Sequence, residues 1–396
     1  MIHSRTITGT DMRGINRSAI LELIRRESPI SRTLIAKRLD VSLPTVMRIV
    51  DELVAEDLVR PEGTTEWSGG RRRSLLEFNA EGHVVIGIDL GGTQLFGAIA
   101  DLGGNILDEV DVSRHGTSGE ESYRRLIELI DTLLASPKLL GRRIRGIGVG
   151  APGITQHKEG IVNWAFTLNW QDYPLKAKLV ERYGLPIVVD NDVNLAALGE
   201  LWFGAGQNTQ NMVLIAIGTG IGAGIIIDGA LYRGSREASG EIGHIIPGRE
   251  FLGKRYAEFG ALESLASGTG IAERARQTLK RQPGPELEGL LAEDVFDAAR
   301  QGEEWARAVI DEAVDYLAIA IAGISVSFDP ELIVLGGGVT RSADLLVEPI
   351  LRRIDGTIPT LPRLVVSTLG RRAAVMGAIT NVLHNTADFY MVRKLS

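Results

Sequence analysis

Apolar positions in the first eighty residues fall at helical spacing in three short runs. INRSAILELIRRE reads as one helix with Ile20, Leu23 and Ile24 on a single face. A turn follows at Ser28 and Pro29, and Ser31 is placed to cap a second helix, RTLIAKRL. Ser42 caps a third, with Pro44 in the first turn, where a missing N–H costs nothing. Val46, Ile49, Val50 and Leu53 recur there at i, i+3, i+4, i+7 and define a buried stripe, so Thr45, Met47, Arg48, Asp51 and Glu52 point elsewhere. LVRPEG, TTEWSGGRRR and SLLEF then read as strand, turn and strand. From Val84 the texture changes to apolar strands broken by glycine, first in VVIGIDLGGTQLFGAIADLGGNIL and again in MVLIAIGTGIGAGIIIDGALY. Two such units predict an internally duplicated α/β architecture with a ligand between its halves.

The two capped helices and their support helix form a helix-turn-helix, whose last helix enters the major groove by its N-terminal turn. Ser42, Thr45 and Arg48 are the candidates to meet DNA there, and the strand–turn–strand is the wing. Arg71, Arg72 and Arg73 beside the wing turn are candidates for phosphate or minor-groove contact. The competing readings are a small helical bundle used for dimerisation and, for the arginines, a solvated loop.

A length of 396 residues with 44% hydrophobic content allows two or three domains with real cores. There is no uninterrupted apolar run of about 18 residues, and MIHSRTITGTDMRGINR holds no apolar signal core. A cytoplasmic protein without membrane contact is expected. With no cysteine, disulfides, thiolate zinc sites and cysteine nucleophiles are excluded. The net charge of −7 is uneven: residues 1–80 carry 13 Lys and Arg against 11 Asp and Glu, so only this part suits a polyanion.

In the remainder, the glycine turns let backbone N–H groups approach an anion, though each taken alone reads first as a hairpin turn. GTGIGA and GIGVGA match a dinucleotide fingerprint in letters, but no helix follows where one is required, and there is no P-loop. LPIVVDNDVNLAALGELW ends a strand in Asp190, Asn191 and Asp192. Asp192 is either a base for a hydroxyl attacking a phosphoryl group or the cap of the next helix. ASGEIGHIIPG adds Glu241 and His244, and LIVLGGGVT is a further strand ending in a glycine turn. Trp164 and Trp170 are readable as sugar-stacking or as core residues.

DLGGT, GVGAPG, NDVNLAALGE, GTGIGAG, GEIGH, ALESLASG and LGGGV, in this order, resemble the ROK family of sugar kinases and sugar-responsive transcription regulators. INRSAILELIRRESPISRTLIAKRLDVSLPTVMRIVDELVAEDLV with SGGRR is similar to the DNA-binding half of the regulators, so the resemblance spans essentially the whole chain. It implies an N-terminal winged helix-turn-helix over 1–80, then a two-lobed actin-like or hexokinase-like ATPase fold over 81–200 and 201–396, with the last helix packing back on the first lobe. It also implies Asp192 as general base and Asn191, Asp192, Glu241, His244 and Glu263 as sugar hydroxyl partners. Asp89, Gly91, Gly92 and Thr93 would form the first phosphate loop, Gly218, Thr219 and Gly220 the second, and Gly336, Gly337 and Gly338 the adenosine-side turn.

Where the family commonly has a cysteine-rich zinc segment this chain reads KRYAEFGA, with Lys254, Tyr256 and Ala261 at the cysteine positions. No structural zinc is therefore expected; Tyr256 and Phe259 are expected to hold the loop by packing. Thr167 stands where the family often has asparagine, which bears on sugar preference. The function implied is a DNA-binding regulator, a repressor of carbohydrate genes, whose operator affinity responds to a sugar or sugar phosphate. A homodimer or homotetramer would read a palindrome, with no cofactor required for DNA binding. The alternative is an ATP-dependent sugar kinase using magnesium, since no kinase motif is broken.

Overall fold

The computed structural model describes residues 9–68, 71–92, 94–113, 118–256, 260–280 and 289–385; of residues 9–12, 15, 63–68, 71–73 and 383–385 only the backbone is described. The chain opens with α1 (Gly9–Glu27), β1 (Ile30–Ser31), α2 (Arg32–Leu39) and α3 (Leu43–Ala55). Ser31 Oγ accepts the Leu34 N–H at 3.3 Å and Ser42 Oγ that of Thr45 at 3.4 Å, each satisfying a donor that the helix start leaves free. Val46, Ile49, Val50 and Leu53 are fully buried. Strands β2 (Val59–Ser68) and β3 (Arg71–Phe78) form the wing, in a sheet of order β1-β3-β2. Arg71 pairs with Ser68, so the three arginines lie on the strand that leaves the turn; their side chains, and turn residues 69 and 70, fall outside the described residues.

The body follows. β4 (His83–Leu90), β5 (Gln94–Asp101) and β6 (Ile106–Ser113) form an antiparallel meander. After α4 (Glu120–Leu134), β7 (Arg143–Ala151) returns parallel to β4. A small sheet of β8 (Ile154–Gln156), β9 (Ile161–Ala165) and β10 (Trp170–Tyr173) precedes α5 (Leu175–Tyr183) and β11 (Ile187–Asn191), which is parallel to β7. Then comes α6 (Asp192–Phe203). A second meander, β12 (Met212–Ile217), β13 (Ile221–Ile227) and β14 (Ala230–Tyr232), leads into α7 (Ala261–Ala266), α8 (Gly268–Leu279), α9 (Ala292–Gln301) and α10 (Glu304–Phe328). Parallel strands β15 (Leu332–Gly336) and β16 (Leu364–Val366), separated by α11 (Val347–Ile354), complete the second sheet, and α12 (Ala373–Asn385) ends the described chain.

The two sheets, β6-β5-β4-β7-β11 and β14-β13-β12-β15-β16, have one topology: meander, then two parallel strands added at the first strand's free edge. The internal duplication read from the glycine-broken strands is thus a repeated fold. Each half lends its last helix to the other. α6 follows the first sheet, yet Leu195, Leu198 and Leu201 are buried with Met212, Leu214, Ile226 and Val334 of the second. α12 follows the second sheet and packs on β4 and β7 of the first. The helices cross with no room for side chains: a Cβ on Gly199 would strike the Ala373 carbonyl oxygen, and one on Gly377 that of Leu195.

The N-terminal helices and wing are joined to this body by a continuous core. Ile20, Ile24, Leu53 and Leu58 share one buried cluster with Val85 of the first sheet, Leu102 just after β5, and Met376, Ile379 and Val382 of α12. At the α6–α12 crossing, Gly377→Ala is expected to destabilise the protein by roughly 1–3 kcal/mol, the usual range for overpacking. Gly323→Ala in α10, where a Cβ meets open space, is expected to stabilise it by roughly 0.5–1 kcal/mol. Chemical denaturation of the two variants checks both signs.

Candidate functional site

Strand ends from both sheets converge on one cleft. β4 ends at Asp89 and Leu90, followed by Gly91 and Gly92; the turn after β12 is Gly218, Thr219 and Gly220. The turns face one another, since a Cβ on Gly92 would come within 3.0 Å of Thr219 Oγ1. Thr93 lies outside the described residues. Gly268 at the start of α8 donates its N–H to Gly218 O at 2.8 Å and braces the second turn. After β15, Gly337 takes a left-handed φ of +84° and a Cβ on it would strike the Ile217 carbonyl; Gly336, which pairs with Ala216, and Gly337 thus lie beside the end of β12, with Gly338 next in the turn.

Of the two readings of Asp192, the cap belongs to its neighbour. Asn191 is the N-cap of α6: its Oδ1 accepts the Asn194 N–H at 2.9 Å, and its Nδ2 donates to Gly153 O at 3.0 Å. Asp192 accepts only the adjacent Val193 N–H, at 2.9 Å, among the bonds described. Glu263 of α7 lies against Gly220 and Gly243, where any Cβ would meet its carboxylate. Gly240, at a φ of +91°, sits flat on β13 against the Ala223 carbonyl, and the loop then presents Glu241 and the exposed His244.

Four carboxyls therefore share the cleft, and burial raises the pKa of every one. Asp89 rises to about 8, from burial first and the Asp192 charge second. Asp192 is pushed up to about 6 by burial, opposed by the Val193 N–H and assisted by Glu241. Glu263 reaches about 7 for the same leading reason, and Glu241 also rises. Asp89 Oδ1 has no hydrogen-bond partner among the described residues. Such carboxyls can both accept and donate hydrogen bonds near neutrality, which suits a ligand bearing several hydroxyls, and Asp192 is placed between acid and base. Because the folded chain holds these protons longer than the unfolded one, stability of the ligand-free protein falls as pH rises from about 4 to about 8. Asp89→Asn is expected to flatten that decline, gaining on the order of 2 kcal/mol over the wild type between pH 5 and pH 8. Thermal melts across that range check it.

On the DNA-binding part, Arg48 and Met47 project from the N-terminal half of α3, Met47 with 48% of its surface exposed. Arg48 has only a loose ion pair with Glu52, at 4.0 Å. Ser42 and Thr45 bond to each other, Oγ to Oγ1 at 2.8 Å, while serving the cap. The far end of α3 is fixed to the body. Asp57, at a left-handed φ of +61°, offers its carbonyl to both Asn79 Nδ2 at 2.7 Å and His83 Nε2 at 2.8 Å. Burial holds the His83 pKa below its ordinary value, partly opposed by that carbonyl. Glu56 pairs with Arg17 of α1 at 2.7 Å and faces Arg145 of β7 at 3.9 Å.

Several contacts were beyond sequence reasoning. The loop between His244 and α7 is anchored by Phe251, buried edge-on against Tyr316 of α10 at 5.7 Å, and by the Leu262 N–H bonded to Ile245 O at 3.2 Å. Tyr256 is half-buried there, Lys254 lies over the Phe251 ring, and Phe259 falls outside the described residues. The described residues include no group of three or more His, Asp or Glu placed to hold a metal ion. Trp170 is a core residue, stacked on Tyr173 at 4.2 Å with its Nε1–H on Gly119 O; Trp164 is exposed beside Phe166. No described helix is long and apolar enough to cross a membrane.

Comparison with known proteins bears on both halves. Residues 85–385 match the ROK family model and residues 15–60 a winged helix-turn-helix DNA-binding model. The chain is 30% identical over 393 residues to a xylose repressor of Caldicellulosiruptor bescii, covering 96% of this chain and 98% of that one. It is 36% identical to a glucokinase of Halalkalibacterium halodurans, which covers 74% of this chain and 92% of the glucokinase. Among solved structures it resembles a ROK family transcriptional regulator, a homolog of the E. coli MLC protein, with a TM-score of 0.83 and 28% identity over 96% of this chain and 99% of that one.

Proposed function

We propose, on the premise that the chain belongs to the ROK family and carries a winged helix-turn-helix ahead of it, that it is a sugar-responsive DNA-binding repressor. The observation that carries this reading is the full-length likeness to a xylose repressor, DNA-binding helices included, where the glucokinase likeness stops at the body. In this reading Arg48, with Ser42 and Thr45 at the helix start, meets the major groove, and Arg71, Arg72 and Arg73 meet phosphate or the minor groove. A homodimer would set two such helices on a palindrome.

The sugar would bind between the lobes, against Asp192, Glu241, His244 and Glu263, with Asn191 shaping the helix start. A ligand there changes DNA affinity only if it favours one placement of the DNA-binding part over another. α6 offers the route. It begins at Asn191 and Asp192 and ends, about 18 Å away at 1.5 Å per residue, at Trp202 and Phe203. Arg25 of α1 stacks over Trp202 at 5.6 Å, and Phe203 packs into the core shared with α1 and α3. A tilt of α6 against α12 on ligand closure would move α1 and with it the recognition helix.

Selection from random duplex DNA, followed by binding assays with D-xylose and D-glucose, tests the reading. Arg48→Ala is expected to weaken the selected duplex about tenfold or more, and wild-type binding to fall steeply with salt. Asp192→Asn is expected to keep DNA binding and lose the sugar effect. Failure to select any duplex would overturn the repressor reading.

Intact glycine turns and an Asp192 that does not cap α6 also favour a second reading, phosphorylation of the bound sugar by ATP with magnesium. The turns Gly91–Gly92, Gly218–Gly220 and Gly336–Gly338 would hold the nucleotide, and Asp192 would take the hydroxyl proton. Sugar-dependent ADP release lost in Asp192→Asn would establish it.

A further inference from the structure

Beside the cleft, one charged chain of contacts crosses between the two halves of the body. Asp190, at the end of β11, is fully buried, and Arg233, just after β14, grips it with both terminal nitrogens at 2.7 and 2.6 Å. Asp190 also accepts from Asn381 of α12 at 3.0 Å and from the Asn191 N–H at 2.8 Å. Four residues further, Glu237 faces Arg233 at 3.7 Å and receives a hydrogen bond from His157, in the turn between β8 and β9, at 3.0 Å. Since a carboxylate only accepts, His157 Nδ1 must carry the hydrogen.

Glu237 has a φ of +59°, the left-handed region that glycine occupies without strain. A side chain is carried there at a cost, which the surrounding contacts must offset. The segment it belongs to runs from Arg233 to His244, is pinned at Gly240 on β13 through the Ala223 N–H at 2.7 Å, and brings Glu241 to the Asp192 side of the cleft, with His244 exposed at its end. At its other end, the only cross-half contacts described are the Arg233 grip on Asp190 and the Glu237 bond to His157.

We propose that Glu237 is a positioning residue: bonded to His157 on the first half and facing Arg233 on the second, it latches the 233–244 segment over the start of α6 and sets the spacing of Glu241 and His244 from Asp192. This rests on the sugar-responsive reading for its purpose but not for its test. The latch holds the strand end through Asp190 and the small sheet through His157, so the segment follows the first half while its backbone belongs to the second. Ligand affinity then depends on a contact that does not touch the ligand.

Hydrogen exchange on the full ligand-free chain reads the latch directly. Glu237→Gly, which removes the carboxylate and relieves the backbone, is expected to leave the denaturation midpoint equal or higher while speeding amide exchange in 233–247 about tenfold. His157→Ala should speed the same amides by a similar factor, the double variant no further, and Glu237→Gln, which keeps the acceptor, should restore most of the protection. Unchanged exchange in Glu237→Gly, or effects of the two substitutions that multiply, would overturn the proposal. Thermal shift with D-glucose and D-xylose separates this from the repressor reading: a wild type that responds to either sugar as strongly as Glu237→Gly does has a site but no latch, whereas no response from the wild type counts against the sugar reading and leaves the exchange result standing.

Discussion

The architecture turns on one backbone contact, the crossing of α6 and α12 at Gly199 and Gly377, where either glycine's missing Cβ leaves room for a carbonyl of the other helix. Through that crossing each half of the body is roofed by a helix that belongs in sequence to the other. Buried Glu200 on α6 strengthens it by accepting the N–H groups of Leu369, just ahead of α12, and of Ala205. Two sheets joined in this way cannot rotate independently; a change at the cleft must be absorbed by the helix pair. Since interfaces packed this closely tend to be bistable rather than continuously deformable, small shifts at the cleft are read out as discrete rearrangements.

The DNA-binding part inherits this constraint. It is not a bead on a linker: its core is continuous with the first sheet and α12, and the turn after the recognition helix is bonded to Asn79 and His83. The orientation of α3 is therefore a property of the body, which a flexible tether would have erased. That gives the pairing of a sugar-kinase-like body with a winged helix-turn-helix a physical sense, because the body can bias DNA binding only through a stiff junction.

Much of this was legible in sequence, for local reasons. Ser31, Ser42 and Pro44 announce helix starts, and the Val46 to Leu53 stripe has a period that only a helix buries. The glycine-flanked strands were legible because both sheets repeat one pattern. What escaped notice was long-range. Asp192 reads by spacing as the cap of α6, but it is Asn191 that takes the Asn194 N–H, while its amide also donates to Gly153, 38 residues away. Phe251 gives no local sign of its partner Tyr316, nor Trp202 of Arg25. Glu237 was invisible for the opposite reason, since a left-handed residue is expected to be glycine and a charged one there looks like ordinary surface.

In this reading one equilibrium links the carboxyl-lined cleft to the recognition helix. Linkage demands reciprocity: a sugar that weakens DNA binding by some factor must itself bind more weakly, by the same factor, to the DNA-bound protein. Calorimetric titration of the responding sugar into the free chain and into its complex with a selected duplex measures this directly. Equal factors above one are expected for any coupled pair of sites; coupling through α6 predicts that both fall toward one when Trp202→Ala removes the stack under Arg25. Sugar affinity that is identical with and without DNA would contradict it.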